Sequence, residues 1–480
     1  MKEIKKLIAV FIAAIFFIGL FIICDRFAEN VKDEYASQID PSLRSSTTKE
    51  GASTGSAQDI AVESMAINMV SSENSMHMNL GLTGDILVQS QQLQSSYDSE
   101  SDSFDFSNAF SQIKDELGKS DFLTGTLKTT MAGSGNGYSD SFVGYCASDG
   151  MYNTPEVFAR NLKDAGFSLL NTATNHSLDS GSDGLVSTLK YLDEASLQHV
   201  GTRSSSTGSM DYILTSGSAR IAFTGYTWSA GAGEGTDQQS SQDLSEDSYS
   251  EDLYEETAAE TAESSESAAS SDNSLVNSLK EGDDSKISAM VSHIQELKKA
   301  NDFVVVMLNF ESSDSSRVDS SQKSLAEKIA GAGADLIVGT GSRCVRPMEV
   351  VTATGEDGLQ RQCLVFYGLG ALYSSEYYQS YEDLDVDISA IVDLTISTNA
   401  SGQIGIRQVR IVPVYLNWYN GLVQPVPVCE AKDTNKYADL LDDDDMARID
   451  SAYEETAQTI LSGTGLTAQY QDYGYNVTLQ

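Results

Sequence analysis

Apolar runs of strand length, separated by stretches with helical spacing, set the plan of this chain. Met78 to Leu87 predicts an opening strand that ends in Gly84-Asp85, and Phe122 to Leu127 a second. Residues 104–118 predict a helix. Asn153-Thr154-Pro155-Glu156 predicts a helix start, with proline at the first helical position and an acid in the first turn. That helix runs to Ala165 and stops at Gly166. Phe167 to Leu170 predicts a buried strand, and Leu185, Val186, Leu189 and Leu192 share one face of the next helix, capped by Ser182 or Asp183. His199–Thr202 and Ile221–Tyr226 are further strands.

Farther along, helices are expected over 286–300 and 321–331. Strands are expected over 303–309, 335–339, 345–351 and 362–367. Phe303 to Asn309 is almost continuously apolar, which predicts a strand covered on both faces. Ile388, Ala390, Val392, Leu394 and Ile396 alternate, as do residues in 404–414. The two runs predict antiparallel strands joined through Thr398–Gly402. Strands alternate with helices early and pair as hairpins late, so the fold class expected is α/β, a layered domain with helices covering its sheets.

Three stretches break this pattern. Leu7 to Cys24 is eighteen residues with no charge, preceded by Lys2, Lys5 and Lys6. As a helix it spans roughly 27 Å, close to a bilayer core of about 30 Å. The basic flank predicts a single-pass signal-anchor with the rest of the chain outside the cell membrane. The competing reading is a cleaved signal peptide, but no small-residue cleavage site follows. Cys24 lacks the small preceding residue that lipoprotein processing needs. Residues 25–76 read as a polar stalk. From 231 to 284 there are sixteen Asp/Glu and one basic residue, Lys280. Such a stretch cannot bury enough apolar surface to offset chain entropy, and it is expected to be a disordered acidic insertion. The main domain is then expected over 77–430, with an acidic tail carrying Asp442–Asp445 and one helix over 431–480.

Thirty Lys+Arg against 70 Asp+Glu give a net charge of −40. That balance argues against nucleic acid as a partner and against binding to an anionic membrane surface. It suits a solvated extracellular surface. The five cysteines (Cys24, Cys146, Cys344, Cys363 and Cys429) show no zinc-type spacing. A Cys344–Cys363 disulfide and free thiols both stay open.

The stretch with the most chemistry is Ala173-Thr174-Asn175-His176-Ser177-Leu178-Asp179-Ser180-Gly181. It lies between a strand and a helix, where α/β sheets place their sites. An amide, an imidazole and a carboxylate within five residues can hold a metal. They can also fix one histidine tautomer and present it to an anion. The plainer reading makes Asn175 and Asp179 loop caps and His176 a satisfied loop histidine. Asp85, directly after the first strand, either holds a metal or caps a turn.

These residues, in this order, resemble a known family. Gly84-Asp85, Asn153-Thr154-Pro155, Leu162–Phe167, Asn175–Gly181, Gly184-Leu185, His199–Thr202 and Gly333–Gly339 are similar to the bacterial CapA-type capsule-synthesis proteins. The resemblance covers about 78–230 and 290–415. It implies a role with poly-gamma-glutamate capsules. It also implies a four-layer α-β-β-α sandwich of the metallo-dependent phosphatase type, in which two metals at strand ends polarise a phosphoester or similar group and activate a water. Carried over, it puts Asp85 and Asn175 at metal positions, makes His176 the donor to the reacting oxygen and makes Asp179 its orienting partner.

The chain departs from that pattern at several positions. Thr126-Leu127-Lys128 stands where the family has Asn-Leu-Glu, and Asn309-Phe310-Glu311 where it has His-Trp-Gly. Gly341, Ser342 and Arg343 replace a His-Pro-His run, and Arg346 replaces a glutamine. Only Glu349 of that segment matches. His293 is helical and a poor substitute ligand. Threonine, glycine and arginine are poor ligands or none. The expectation is therefore a membrane-anchored, extracytoplasmic, non-catalytic member acting in capsule or envelope-polymer assembly, without a cofactor. Its partners would be an anionic envelope polymer or the membrane synthase subunits. Lys128, Arg343 and Arg346, converging beside His176, would form a cationic pocket for a carboxylate or phosphate. Two alternatives stand beside this. One is a hydrolase holding a single, weakly bound divalent metal on Asp85, Asn175 and water. The other is a structural subunit of a polymer-synthesis complex that works through its transmembrane helix.

Overall fold

The computed structural model describes residues 77–135, 142–148, 151–217, 219–228, 273–280, 282–310, 317–375, 384–398, 403–419 and 421–478. The Leu7–Cys24 span, the stalk and most of the acidic stretch lie outside the described residues. Among the described residues no helix is long and apolar enough to cross a membrane.

Two large sheets hold sixteen strands. In chain order the first are β1 (His77–Ile86), β2 (Phe122–Leu127), β3 (Phe167–Asn171), β4 (Gln198–Val200), β5 (Asp211–Ser216) and β6 (Ala219–Thr227). Next come β7 (Phe303–Asn309), β8 (Leu336–Thr340), β9 (Met348–Thr354), β10 (Gln360–Phe366) and β11 (Ala371–Tyr373). Last are β12 (Ile388–Thr398), β13 (Ile404–Tyr419), β14 (Leu422–Pro427), β15 (Thr467–Gln471) and β16 (Gly474–Thr478). The larger sheet runs β15-β16-β13-β12-β1-β2-β3-β4, with β11 added to β1 and β14 to β13. The smaller runs β9-β10-β8-β7-β6-β5. In the larger sheet β1 to β4 are parallel, and in the smaller β6, β7, β8 and β10 are parallel.

The sheets face each other across one core. Leu80 and Leu82 of β1, Ile221 and Phe223 of β6, Val305 and Met307 of β7, and Val392 and Leu394 of β12 meet there. The alternate residues of β7, Val304, Val306 and Leu308, face the other way. They pack beneath α3 (Asp284–Ala300) and α4 (Ser320–Ala332), through Ile294, Leu297, Leu325 and Ile329. This is why β7 reads as an unbroken apolar run. On the far side, α1 (Val157–Ala165) and α2 (Gly181–Glu194) set Phe158, Leu162, Leu185 and Leu189 against Leu123, Phe167 and Leu170. The fold is mixed α/β, helices outside and two sheets within, as the alternating pattern predicted. Gly166 ends α1 with φ at 111°, a backbone that favours glycine.

Four expectations need correction. The span 104–118 is helical only over Lys114–Leu117. Its apolar spacing is genuine, with Phe106, Phe110, Ile113 and Leu117 all buried. Asp105, however, draws the Ser107 N–H at 2.8 Å and closes a side-chain turn that competes with helix. The second correction is at α2, which starts at Gly181 with Ser180 in the cap position, so Ser182 and Asp183 lie in its first turn. Third, the acidic stretch is not featureless to its end. Residues 273–280 are seated in the domain, with Val276 and Leu279 buried and the Leu279 N–H donating to the Thr227 carbonyl at 2.7 Å.

The fourth correction is the C-terminal tail, which belongs to the domain. Its helix α5 (Asp443–Leu461) buries Ile449, Ala452, Ala457 and Ile460. Strand β16 then pairs with β13, carrying Tyr475 and Val477 into the inter-sheet core. The four cysteines among the described residues are all free and buried, so Cys344 and Cys363 are not joined.

Candidate functional site

The C-terminal ends of β1, β2, β3 and β8 meet at one edge of the sandwich, the edge where parallel strands present loops and helix starts. At β1 the geometry begins with Gly84. A Cβ there would lie 1.8 Å from the Gly370 carbonyl oxygen, so only glycine lets the segment leading into β11 come this close. The Asp85 N–H donates to that same oxygen at 3.1 Å, and the β1 register shifts between Asp85 and Ile86. The irregularity aims the Asp85 side chain at the strand ends.

Asp85 is 3% exposed. Its Oδ2 accepts the Gly341 N–H at 2.9 Å and lies 3.7 Å from the Lys128 ammonium. Its Oδ1 is buried with no hydrogen-bond partner. Burial pushes the carboxyl pKa up. The Lys128 charge, the Gly341 N–H and the Thr340 hydroxyl pull it back down. Thr340 also donates to Thr126 Oγ1 at 3.3 Å, a direct bridge between the two sheets beneath the site.

Lys128 is placed by the backbone. Its N–H donates to the Ile86 carbonyl at 2.9 Å, which fixes the residue beside the end of β1. The following turn is held by Asn153, whose Oδ1 accepts the Ala132 N–H at 2.8 Å and whose Nδ2 donates to the Gly133 carbonyl at 2.9 Å. The Asn153-Thr154-Pro155 motif therefore works as a clamp on the Lys128 turn, with Thr154 also bonded to Thr129 at 2.7 Å.

The loop after β3 is cross-braced by its own hydroxyls. Ser177 Oγ donates to the Thr172 carbonyl at 2.7 Å, and the His176 N–H donates to Thr174 Oγ1 at 3.1 Å. Within it, His176 Nδ1 lies 2.9 Å from Asp179 Oδ2, and His176 Nε2 lies 3.0 Å from Asn175 Nδ2. A neutral imidazole satisfies both bonds when Nδ1 carries the proton and Nε2 accepts from the amide. Asp179 Oδ2 also accepts the Tyr152 N–H at 2.7 Å, and the Tyr152 ring meets the imidazole edge-on at 4.7 Å. Burial raises the Asp179 pKa, opposed by the His176 bond.

The structure thus brings Asp85, Lys128, Asn175, His176 and Asp179 to one edge. The charge of Lys128 is felt by both carboxylates. Arg346 does not join them in the way the sequence suggested. Its guanidinium is 1% exposed, donates to Gln322 Oε1 at 3.2 Å and acts on Asp319 and the Cys344 thiol near the start of α4. Arg343 is half-buried in the turn after β8, with φ at 54°. Lys128 faces Asp85, and Arg346 acts on Asp319. Glu349 lies on edge strand β9, bonded by Tyr367 at 3.1 Å and 3.7 Å from Lys323. It lines a separate groove of about 1100 Å³ between β9 and α5. His293 pairs with Asp211 and Tyr226 on the smaller sheet.

Thr340, the Gly341 N–H and Tyr152 were missed by the sequence reading, since each reaches the site from a distant part of the chain.

A pair of divalent ions does not fit this donor set. Among the described residues no three His, Cys, Asp or Glu side chains come together to hold an ion. Asp85, at the end of β1, already faces an ammonium.

Comparison with known proteins agrees with the motif order. The family model described as bacterial capsule synthesis protein PGA_cap matches residues 79–376. The capsule biosynthesis protein CapA of Bacillus anthracis is 25% identical over 285 residues, covering 58% of this chain and 54% of that protein. The PGA biosynthesis protein CapA of Bacillus subtilis is 24% identical over 253 residues, covering 52% of each. The chain thus spans about half the length of the curated relatives it matches. Among solved structures, the calcineurin-like phosphoesterase YfkN of Bacillus subtilis aligns at TM-score 0.38 and 11% identity, over 81% of this chain and 98% of that one. A putative 5'-nucleotidase from Staphylococcus aureus aligns at TM-score 0.37 and 12% identity, over 78% of this chain and 58% of that one. With more than half of its residues matched by the family model, the chain belongs to the bacterial capsule synthesis protein family.

Proposed function

We infer that this chain works in the assembly of a capsule or another envelope polymer, held at the outer face of the cell membrane by the Leu7–Cys24 span, and that it does so without hydrolysing a substrate at the strand-end site. Family membership supports the capsule role. The apolar span and its basic flank support the anchor. The sandwich layering and the order of motifs support descent from a metallophosphatase-type fold.

The observation that carries the non-hydrolytic reading is the setting of Asp85. Asp85, at the end of β1, is bonded to a backbone N–H and faces Lys128. His176 Nε2 is taken up by Asn175 instead of being offered to a reacting oxygen. The domain in this reading is a binding or scaffolding body for an anionic polymer or for the synthase subunits that make it.

A second reading keeps the hydrolase, with one weakly held metal. What favours it is that Asp85 Oδ1 and Asn175 Oδ1 are both buried without partners. Metal content separates the two. The full chain, solubilised in detergent and dialysed against manganese, zinc and calcium in turn, is expected to retain no stoichiometric ion by mass spectrometry. One or two equivalents, lost in Asp85→Ala and Asn175→Ala, would put the hydrolase first.

A further inference from the structure

Three side-chain oxygens at this edge of the sandwich lack partners. Asp85 Oδ1, Asn175 Oδ1 and Asp179 Oδ1 are all buried and unbonded, and they belong to the residues gathered at one edge of the sandwich. Unpaired buried oxygens are costly, and two of these sit on carboxylates. The positive charge the structure sets among them is the Lys128 ammonium, 3.7 Å from Asp85 Oδ2 and acting on Asp179 as well. Its side chain is 11% exposed. Its backbone is held by the Lys128 N–H on Ile86, and the turn that follows is held by Asn153.

We propose that Lys128 is a tethered cation: its ammonium supplies the positive charge that this oxygen cluster requires and, by repulsion, excludes divalent ions from it. A bound metal comes and goes with supply, chelator and pH. A lysine side chain is covalently part of the chain and cannot be withdrawn by a chelator or by falling supply, so its charge stays at the site. Like-charge repulsion at such distances in a poorly solvated site is large, and an ion cannot share the cluster with the ammonium. Once the ammonium is removed, the Asp85 carboxylate loses its facing charge, and Asp85 Oδ1, Asn175 Oδ1 and Asp179 Oδ1 remain at this edge as unpartnered oxygen donors. That set is suited to a hard ion such as manganese.

The inference rests on the non-metal reading of the site, and the experiment separates the two. Manganese is titrated calorimetrically into the full chain in detergent, as wild type, Lys128→Ala and Lys128→Met, and into each variant combined with Asp85→Asn. The expected result is no saturable binding to wild type. Each Lys128 variant should bind one equivalent, at least about a hundredfold tighter, and lose it when Asp85→Asn is added. Binding of an equivalent by wild type overturns both the non-metal reading and the tethered cation. Folded Lys128 variants that bind nothing overturn the tethered cation and leave the non-metal reading in place. If the neutral variants are unfolded by circular dichroism, refolding on addition of manganese supports the proposal. Failure to refold overturns it.

Discussion

Asp179 receives His176 Nδ1 at 2.9 Å on the same oxygen that takes the Tyr152 N–H. One carboxylate oxygen thus sets both the tautomer of the imidazole and the position of the ring that packs against it. Nitrogen-15 NMR of the wild-type chain should show the neutral form of the His176 ring with its proton on Nδ1. Asp179→Ala removes the acceptor, leaves the Tyr152 N–H without its partner and should cost about 1–3 kcal/mol of stability. The same substitution should shift the imidazole toward the Nε2-protonated form. An unchanged tautomer in Asp179→Ala would mean that the loop, not the carboxylate, orients the ring.

Asp85 and Lys128 should be energetically coupled. Removing either partner leaves the other buried without its countercharge, so Asp85→Asn and Lys128→Met should each destabilise by about 2–3 kcal/mol. The double substitution should cost less than the two together, by about 1 kcal/mol or more. Urea unfolding of the four proteins measures this. Strict additivity would show that the 3.7 Å approach carries no interaction.

The same pair gives a pH dependence. Burial raises the Asp85 pKa, so the folded state holds its proton more tightly than the unfolded one. Stability from this group is therefore lost as pH rises from the ordinary carboxyl range through the raised value. Lys128 opposes the shift, so Lys128→Met should deepen the loss as pH rises above the ordinary carboxyl range, as unfolding curves across that range would show. A pH profile parallel to wild type would contradict this.

On the smaller sheet, His293 links Asp211 on β5 to Tyr226 on β6, at 3.0 and 2.6 Å. The Asp211 hydrogen bond raises the His293 pKa above its ordinary value, against burial. A raised histidine stabilises below its unfolded pKa of about 6.5, and the contribution disappears as pH rises through the folded value. The wild-type advantage over His293→Gln should be present at pH 5.5, roughly a unit below that unfolded value, and should shrink above it. An advantage that grows with pH would reverse the assignment.

The C-terminal hairpin should be needed for folding. Truncation after Gly463 removes β15 and β16 and withdraws Tyr475 and Val477 from the core. Each such side chain is worth about 1.5–3 kcal/mol. Thermal unfolding should show a loss of several degrees or more. A truncated chain as stable as the parent would return this segment to the status of a tail.

The frame of the fold was legible because local periodicity carries it. The alternation in 388–396, the double-faced run of β7 and Gly166 at the end of α1 each follow from neighbours in sequence, whereas Pro155 stands ahead of the cap Glu156 and not in the first turn, which holds no acid. The final hairpin was not legible, because its turn has no glycine between the strands. Asp472 and Tyr473 take φ of 53° and 57°, the mirror-type turn geometry that Asn-Gly usually announces. At the site, Asp85, His176 and Asp179 stood out by residue type. The fate of the cations did not, since Lys128 depends on Asn153 twenty-five positions on, and Arg346 on Gln322 of a separate helix. Side-chain commitments of that range are set by tertiary packing, which periodicity does not report.

The central claim is that the chain supports envelope-polymer assembly without hydrolysis at the strand-end site. The most direct measurement is surface polymer in a strain whose own copy is deleted, complemented with wild type, His176→Ala or a chain lacking Leu7–Cys24. The account predicts polymer within about twofold of wild type for His176→Ala at equal protein level, and near-complete loss without the span, since an interaction of this strength tolerates loss of a non-reacting group but a transition-state donor does not. A hundredfold loss in folded His176→Ala would contradict it and make the site catalytic.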